Sequence, residues 1–203
     1  MNKEVCFVRP LSIPEATTFL AGHPGARIIA GGTDLIVKWK NGLLPKLTHL
    51  VDLGNVSQNA ITLENGHVKI GAACTLTQIA EHPLIKERFP ALVAGILEVG
   101  ALQIRNLGTM GGNVANASPA GDTLPALMTL ETQIVLQGVS GMRKVPITEF
   151  FTGPGKSVMK QDEFIEAFEI PDRKTKGLFM KLGERQAQAI SKVSMAVTTW
   201  ETT

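Results

Sequence analysis

The chain has 203 residues, 44% of them hydrophobic, which is enough to bury a substantial core in one large domain or two modest ones. Twenty Lys and Arg against 18 Asp and Glu leave a formal charge of +2, with the signs interspersed and no basic run able to track a phosphate backbone, so a nucleic-acid partner is not expected. Cys6 and Cys74 stand far apart with no paired spacing, which argues against a disulfide framework and against a metal or iron–sulfur site on this chain. The N-terminal residues lack the apolar stretch of a signal peptide, and no apolar run approaches the ~20 residues of a membrane span, so a soluble, cytoplasmic protein is expected.

In chain order, Ser12 and Glu15 stand at capping-box spacing, Pro14 is tolerated in a first turn, and Gly22 is a stop signal, which predicts a helix from Ile13 to Ala21. A β-rich run at Arg27–Ala30, a short helix from Asp34 to Lys40 and a second β-rich run at His49–Leu53 make a small βαβ-like unit. Ile61–Leu63 and Val68–Ile70 flank Asn65-Gly66, a dipeptide that takes φ > 0 cheaply, so a tight antiparallel hairpin is predicted there. From Thr75 to Val99 the pattern is helical, capped by Thr75 and Gln78 and interrupted at Pro83 and Pro90, and two helices are expected. Strands are predicted at Gln133–Leu136, Arg143–Val145 and Phe164–Ile170, with Gly138 in a hairpin turn and Phe151–Lys156 as a loop. Phe179–Leu182 and the alternation of Val193, Met195, Val197 and Thr199 predict a final pair of strands, marginal alone, as though the chain stopped within a domain.

Two segments carry chemistry. Ala30-Gly31-Gly32-Thr33-Asp34-Leu35 lies where a β-rich run meets a helix start. Paired glycines let successive N–H groups converge, and a helix N-terminus adds positive character, which suits an anion such as a pyrophosphate. The Asp34 carboxylate would repel phosphate, so it is expected to cap the helix. The second segment, Arg105 to Asp122, packs four glycines, three asparagines, a Thr and a Ser among alanines and a valine. Such a polar, small-residue stretch can be buried when a ligand rich in phosphate and sugar oxygens satisfies it. A plain turn remains open for the first segment, and a loop satisfied by its own Asn side chains for the second. Neither matches the dinucleotide fingerprint or a P-loop.

Together these segments resemble the FAD-binding family of molybdopterin dehydrogenases, the flavoprotein subunits of xanthine, carbon monoxide and nicotinate dehydrogenases and their relatives. The likeness extends over essentially the whole chain and includes Ile104 to Asn106, Thr109 to Asn113, Ala117 to Pro119, Asp122, Phe150 to Pro154, Glu169 to Pro171 and Lys181. It implies an α+β fold of the vanillyl-alcohol oxidase (PCMH) type. A first FAD-binding subdomain would span residues 1–55, a second 56–174, and residues 175–203 would open an incomplete C-terminal α+β domain. It further implies that Ile28, Ile29, Ala30, Gly31, Gly32, Thr33, Asp34 and Leu35, with Thr109, Met110, Gly111, Gly112 and Asn113, wrap the pyrophosphate of FAD. Asp122 would accept a hydrogen bond from a sugar hydroxyl. Lys181 would stand near the flavin, where positive charge favours a reduced, anionic ring. Val99 and Ile165 would give apolar contacts. Family members usually continue past the equivalent of Thr203, and this chain has no Tyr, so any aromatic stacking on the flavin must come from Phe, Trp or a partner.

The four histidines are isolated, and no Ser–His–Asp pattern or metal-ligand spacing is present, so neither a catalytic side chain nor a metal ligand is expected. The resemblance implies an FAD-dependent electron-transfer subunit, fed by an iron–sulfur small subunit and a molybdopterin large subunit and reducing an acceptor such as NAD. A flavin-free structural subunit and a stand-alone vanillyl-alcohol-oxidase-type flavoprotein are the alternatives. The organic substrate is not encoded here.

Overall fold

The computed structural model describes residues 4–185 and 188–200. The first unit comprises β1 (Cys6–Val8), α1 (Ile13–Gly22), β2 (Ala26–Ile29), α2 (Leu35–Lys40) and β3 (His49–Asp52). Its strands form a parallel sheet in the order β1-β3-β2. The Ser12 hydroxyl caps α1 by accepting from the Glu15 N–H, but the Glu15 carboxylate accepts from Leu11 N–H rather than from Ser12, so the capping box is only half formed. The apolar face of α1, Ala16 and Leu20, packs on Ala26, Val51 and Leu53.

The hairpin of β4 (Ile61–Glu64) and β5 (His67–Gly71) turns through Asn65 and Gly66, both at positive φ as the dipeptide requires. Three helices follow where two were expected: α3 (Leu76–Glu81), α4 (Pro83–Arg88) and α5 (Pro90–Leu97). Each proline opens a helix instead of merely interrupting one, because its missing N–H falls where no intrahelical acceptor exists. The polar stretch that follows is also more helical than its composition implies, folding as α6 (Leu102–Leu107), α7 (Met110–Ala115) and α8 (Leu124–Thr129).

Beyond it lie β6 (Gln133–Gly138), β7 (Gly141–Pro146), the single turn α9 (Ile147–Phe150), β8 (Phe151–Gly153), β9 (Lys156–Ser157) and β10 (Phe164–Pro171). The expected loop after Phe151 thus holds a very short hairpin, β8 with β9. Gly138 is not in a turn: it ends β6 as a buried residue, and the turn falls on Val139 and Ser140. The large sheet runs β4-β5-β10-β6-β7, antiparallel throughout, with β10 between β5 and β6. Its core joins Val68, Ile70, Ile134, Leu136 and Phe168 to α3, α5, α7 and α8. Phe164, the first residue of β10, instead enters the core of the first unit. Full burial of such a side chain contributes about 1.5–3 kcal/mol, which favours the docking of the two units.

The last elements, β11 (Thr175–Gly183) and β12 (Ser191–Trp200), pair as an antiparallel hairpin on α5 and α8. Thr175 donates to the Arg88 carbonyl, and the hydroxyls of Thr129 and Thr198 meet at 2.8 Å. The opposite face is apolar and exposed, in the cross-strand pairs Leu178–Val197, Met180–Met195 and Leu182–Val193. Among the described residues no helix is long and apolar enough to cross a membrane.

Candidate functional site

The two glycine segments face each other across a cleft of about 720 Å³, within the range of small-molecule sites. At the end of β2 the chain must turn into α2 while passing close to the backbone after α6. A Cβ on Gly31 would stand 1.9 Å from the Leu107 carbonyl oxygen, so only glycine permits this approach. Gly32 makes the turn at φ +67, in the left-handed region that glycine enters at least cost. Among the described residues no protein acceptor takes the N–H groups of Gly31, Gly32, Thr33, Asp34 or Leu35; the first amide with a partner is that of Ile36, which donates to Gly32 O. Five consecutive amides therefore remain available along the cleft, a supply of donors that a buried or ligand-facing backbone must place somewhere.

Asp34 holds the N-cap position of α2, but its side chain makes no capping hydrogen bond, which corrects the role expected for it. Its carboxylate instead pairs with Lys38, one turn on, at 2.7 Å. The Lys38 ammonium also donates to Asn116 Oδ1 at 2.6 Å and so spans from the first unit to the second.

The second segment is built the opposite way. Thr109 caps α7, its Oγ1 accepting from Gly112 N–H at 3.0 Å, while Met110 N–H donates to Cys74 O, Gly111 N–H to Ala72 O and Asn113 N–H to Thr109 O. Its amides are already partnered within the protein. A Cβ on Gly111 would meet Ala72 Cβ and O at 2.8 Å, so this glycine packs α7 against the strand side. A Cβ on Gly112 would meet only Thr109 Oγ1, at 3.2 Å, and otherwise open cleft. The Asn113 side chain is anchored by the hydroxyl of Thr123.

Of the residues singled out from the sequence, Ile28 to Leu35, Val99, Thr109, Gly111, Gly112, Asn113 and Ile165 line the cleft. Met110 is wholly buried in the core beneath it. Asp122 and Lys181 do not line it; they are brought together in a buried ion pair at 2.7 Å, with the lysine also donating to Glu98 O. Asp122 Oδ1 is buried with no partner. Burial raises the Asp122 carboxyl above its ordinary range, against the opposing hydrogen bond and charge of Lys181. The cleft also receives Arg27, Lys38, Lys160 and Glu163, which were not singled out, and Asn116, which belongs to the second segment but was given no role of its own. For Lys38 a signal existed in its i,i+4 spacing from Asp34. For Glu163 the organising partner is Arg143, whose guanidinium donates to both carboxylate oxygens and pulls its carboxyl below the usual range.

The site fits a dinucleotide-sized anionic cofactor on its own geometry: unpartnered amides on one wall and an open glycine on the other. Residues 3–173 match the family model described as the FAD binding domain in molybdopterin dehydrogenase. The nicotinate dehydrogenase FAD-subunit of Eubacterium barkeri is 36% identical over 197 residues, covering 93% of this chain and 66% of the relative. The xanthine dehydrogenase FAD-binding subunit of Escherichia coli O157:H7 is 33% identical over 193 residues, covering the same shares. The chain thus spans about two thirds of the length of these relatives. Reconstituted CO dehydrogenase from Oligotropha carboxidovorans superposes with a TM-score of 0.93 at 28% identity, over 100% of this chain and 71% of that one, which shows the same α+β, PCMH-type fold. On this match of sequence, fold and cleft, the chain belongs to the FAD-binding family of the molybdopterin dehydrogenases.

Proposed function

We propose that the chain is the flavin-carrying electron-transfer subunit of a cytoplasmic molybdenum hydroxylase assembly. In this reading it takes electrons from an iron–sulfur small subunit, itself served by a molybdopterin large subunit, and passes them to an acceptor such as NAD. The cleft would lie between a first FAD-binding subdomain, residues 1–55, and a second, 56–174, with residues 175–203 opening a further α+β domain. The observation that carries the reading is the run of unpartnered amides from Gly31 to Leu35 facing Gly112. Those amides would hold the pyrophosphate, Gly112 would leave it room, and Val99 and Ile165 would exclude water. Asp122 Oδ1, which lies outside the cleft lining, would accept from a sugar hydroxyl of the cofactor where the cofactor extends beyond the cleft, while Lys181 holds the other oxygen and keeps a positive charge near the flavin. FAD, when bound, supplies the capacity to accept electrons one at a time and to deliver them as a pair.

The purified protein should show flavin absorption bands, and acid precipitation should release FAD to the supernatant, since the reading places no covalent attachment residue at the cleft. Protein that carries no flavin and takes up none on incubation would overturn the proposal. Colour retained in the pellet would overturn its non-covalent form.

A further inference from the structure

Asp34 poses a problem for any anion in this cleft, because a carboxylate stands inside the very run of amides that would receive it. The structure supplies a counter-charge. Lys38 Nζ lies 2.7 Å from Asp34 Oδ2 and 2.6 Å from Asn116 Oδ1, so its ammonium is fixed between the two walls and lines the cleft. The pair is too exposed, at 41% and 52%, to contribute much to folding. Of the other cations at the cleft, Arg27 spends one guanidinium nitrogen on the carbonyls of Pro24 and Ala26, and Lys160 is exposed on the loop after β9. Lys38 alone is held by side chains belonging to both walls.

We propose that Lys38 is the cation that binds the diphosphate of the cofactor, with Asp34 and Asn116 as positioning residues that aim its ammonium into the cleft. This rests on the FAD reading above. Asp34 is then compatible with phosphate because its charge is neutralised within its own helix turn, and the ammonium, with three donors, can keep one partner while gaining another. A charge-assisted hydrogen bond of this kind changes affinity by roughly ten- to a hundredfold.

The test uses the full chain stripped of flavin, titrated with FAD by the quenching of flavin fluorescence and with ADP as a competitor carrying the diphosphate alone, at several salt concentrations. Lys38→Met should weaken both ligands by roughly ten- to a hundredfold and flatten the salt dependence of binding. Lys38→Gln, which removes the charge but keeps a donor for Asn116, should lose as much, and Lys38→Arg should recover most of the affinity. If wild type binds both ligands and Lys38→Met binds them equally well, or loses only thermal stability, this proposal fails alone. If wild type binds neither FAD nor ADP, the flavin reading fails and takes the proposal with it.

Discussion

Gly31-Gly32 and Gly111-Gly112 are the same dipeptide put to opposite uses. In each pair the first glycine packs against a distant backbone, Gly31 on Leu107 and Gly111 on Ala72. The second glycines diverge: Gly32 bends the chain and leaves the neighbouring amides without partners, whereas Gly112 sits inside a capped helix whose amides are all spent and offers only space. One wall of the cleft therefore supplies donors and the other supplies room. A glycine pair read from sequence thus says that backbone comes close to something, not whether that something is protein or ligand.

The comparison can be broken at several places. The largest effect should follow the loss of an internal partner outside the cleft, on the side of the second unit. Lys181→Met, which leaves Asp122 buried and uncompensated, should destabilise the flavin-free protein by about 3–5 kcal/mol in denaturant unfolding. The sign of its pH dependence follows from the raised Asp122 carboxyl. The native state holds its proton to higher pH than the unfolded chain does, so stability falls as pH rises above the ordinary carboxyl value of 3.8. Without Lys181 the carboxyl rises further, and the deficit should be greater at neutral pH than in acid. A uniform deficit across pH would show that the pair is not what matters.

Next in size, Gly111→Val should overpack α7 against Ala72 and cost about 3 kcal/mol or less of fold stability, whatever the flavin content. Its neighbour should behave otherwise. Gly112→Val is expected to keep the flavin-free protein within about 1 kcal/mol of wild type, since Val is no worse than Gly in a helix, while emptying the cleft. The loss would then appear as the missing ligand stabilisation, roughly 2.7 kcal/mol for a ligand present at a hundred times its dissociation constant. Equal effects of the two substitutions on unfolding and on flavin content would dissolve the distinction between a packing and a ligand-facing glycine. The smallest effect belongs to Gly22→Val, at the exposed end of α1 with open space around it, which should change stability by no more than about 0.5 kcal/mol and leave flavin content unaltered.

Local signals were legible wherever neighbours in sequence settle the structure. Asn65-Gly66 turns its hairpin, Thr75 and Gln78 form a complete capping box, and the alternation of Val193, Met195 and Val197 lies on one face of β12. Where a distant partner decides, the sequence misleads. The glycines and asparagines after Arg105 read as loop because of their weak helix propensity, yet packing against Ala72 and the Thr109 cap hold α7 helical. Gly138 reads as a turn residue, but a Cβ there would stand 2.9 Å from Glu163, so it is no neutral position. At the site, the membership of the two segments was readable from their composition. Which amides are free was not, because that depends on acceptors contributed by Ala72, Cys74 and the turn itself. The clasp of Lys38 on Asn116 was equally hidden, since 78 residues separate them.

The place of β10 at the centre of the large sheet sets an order on assembly. Ala167 pairs with Gly71 across almost half the chain, and the same strand delivers Phe164 to the first unit and Ile165 to the cleft. Closing so long a loop is entropically slow and precedes the contacts that reward it. During synthesis the glycine turn after β2 emerges early, whereas Phe164 and Ile165 of β10 join the cleft only after most of the chain has been made, so the complete cleft is a late product of synthesis.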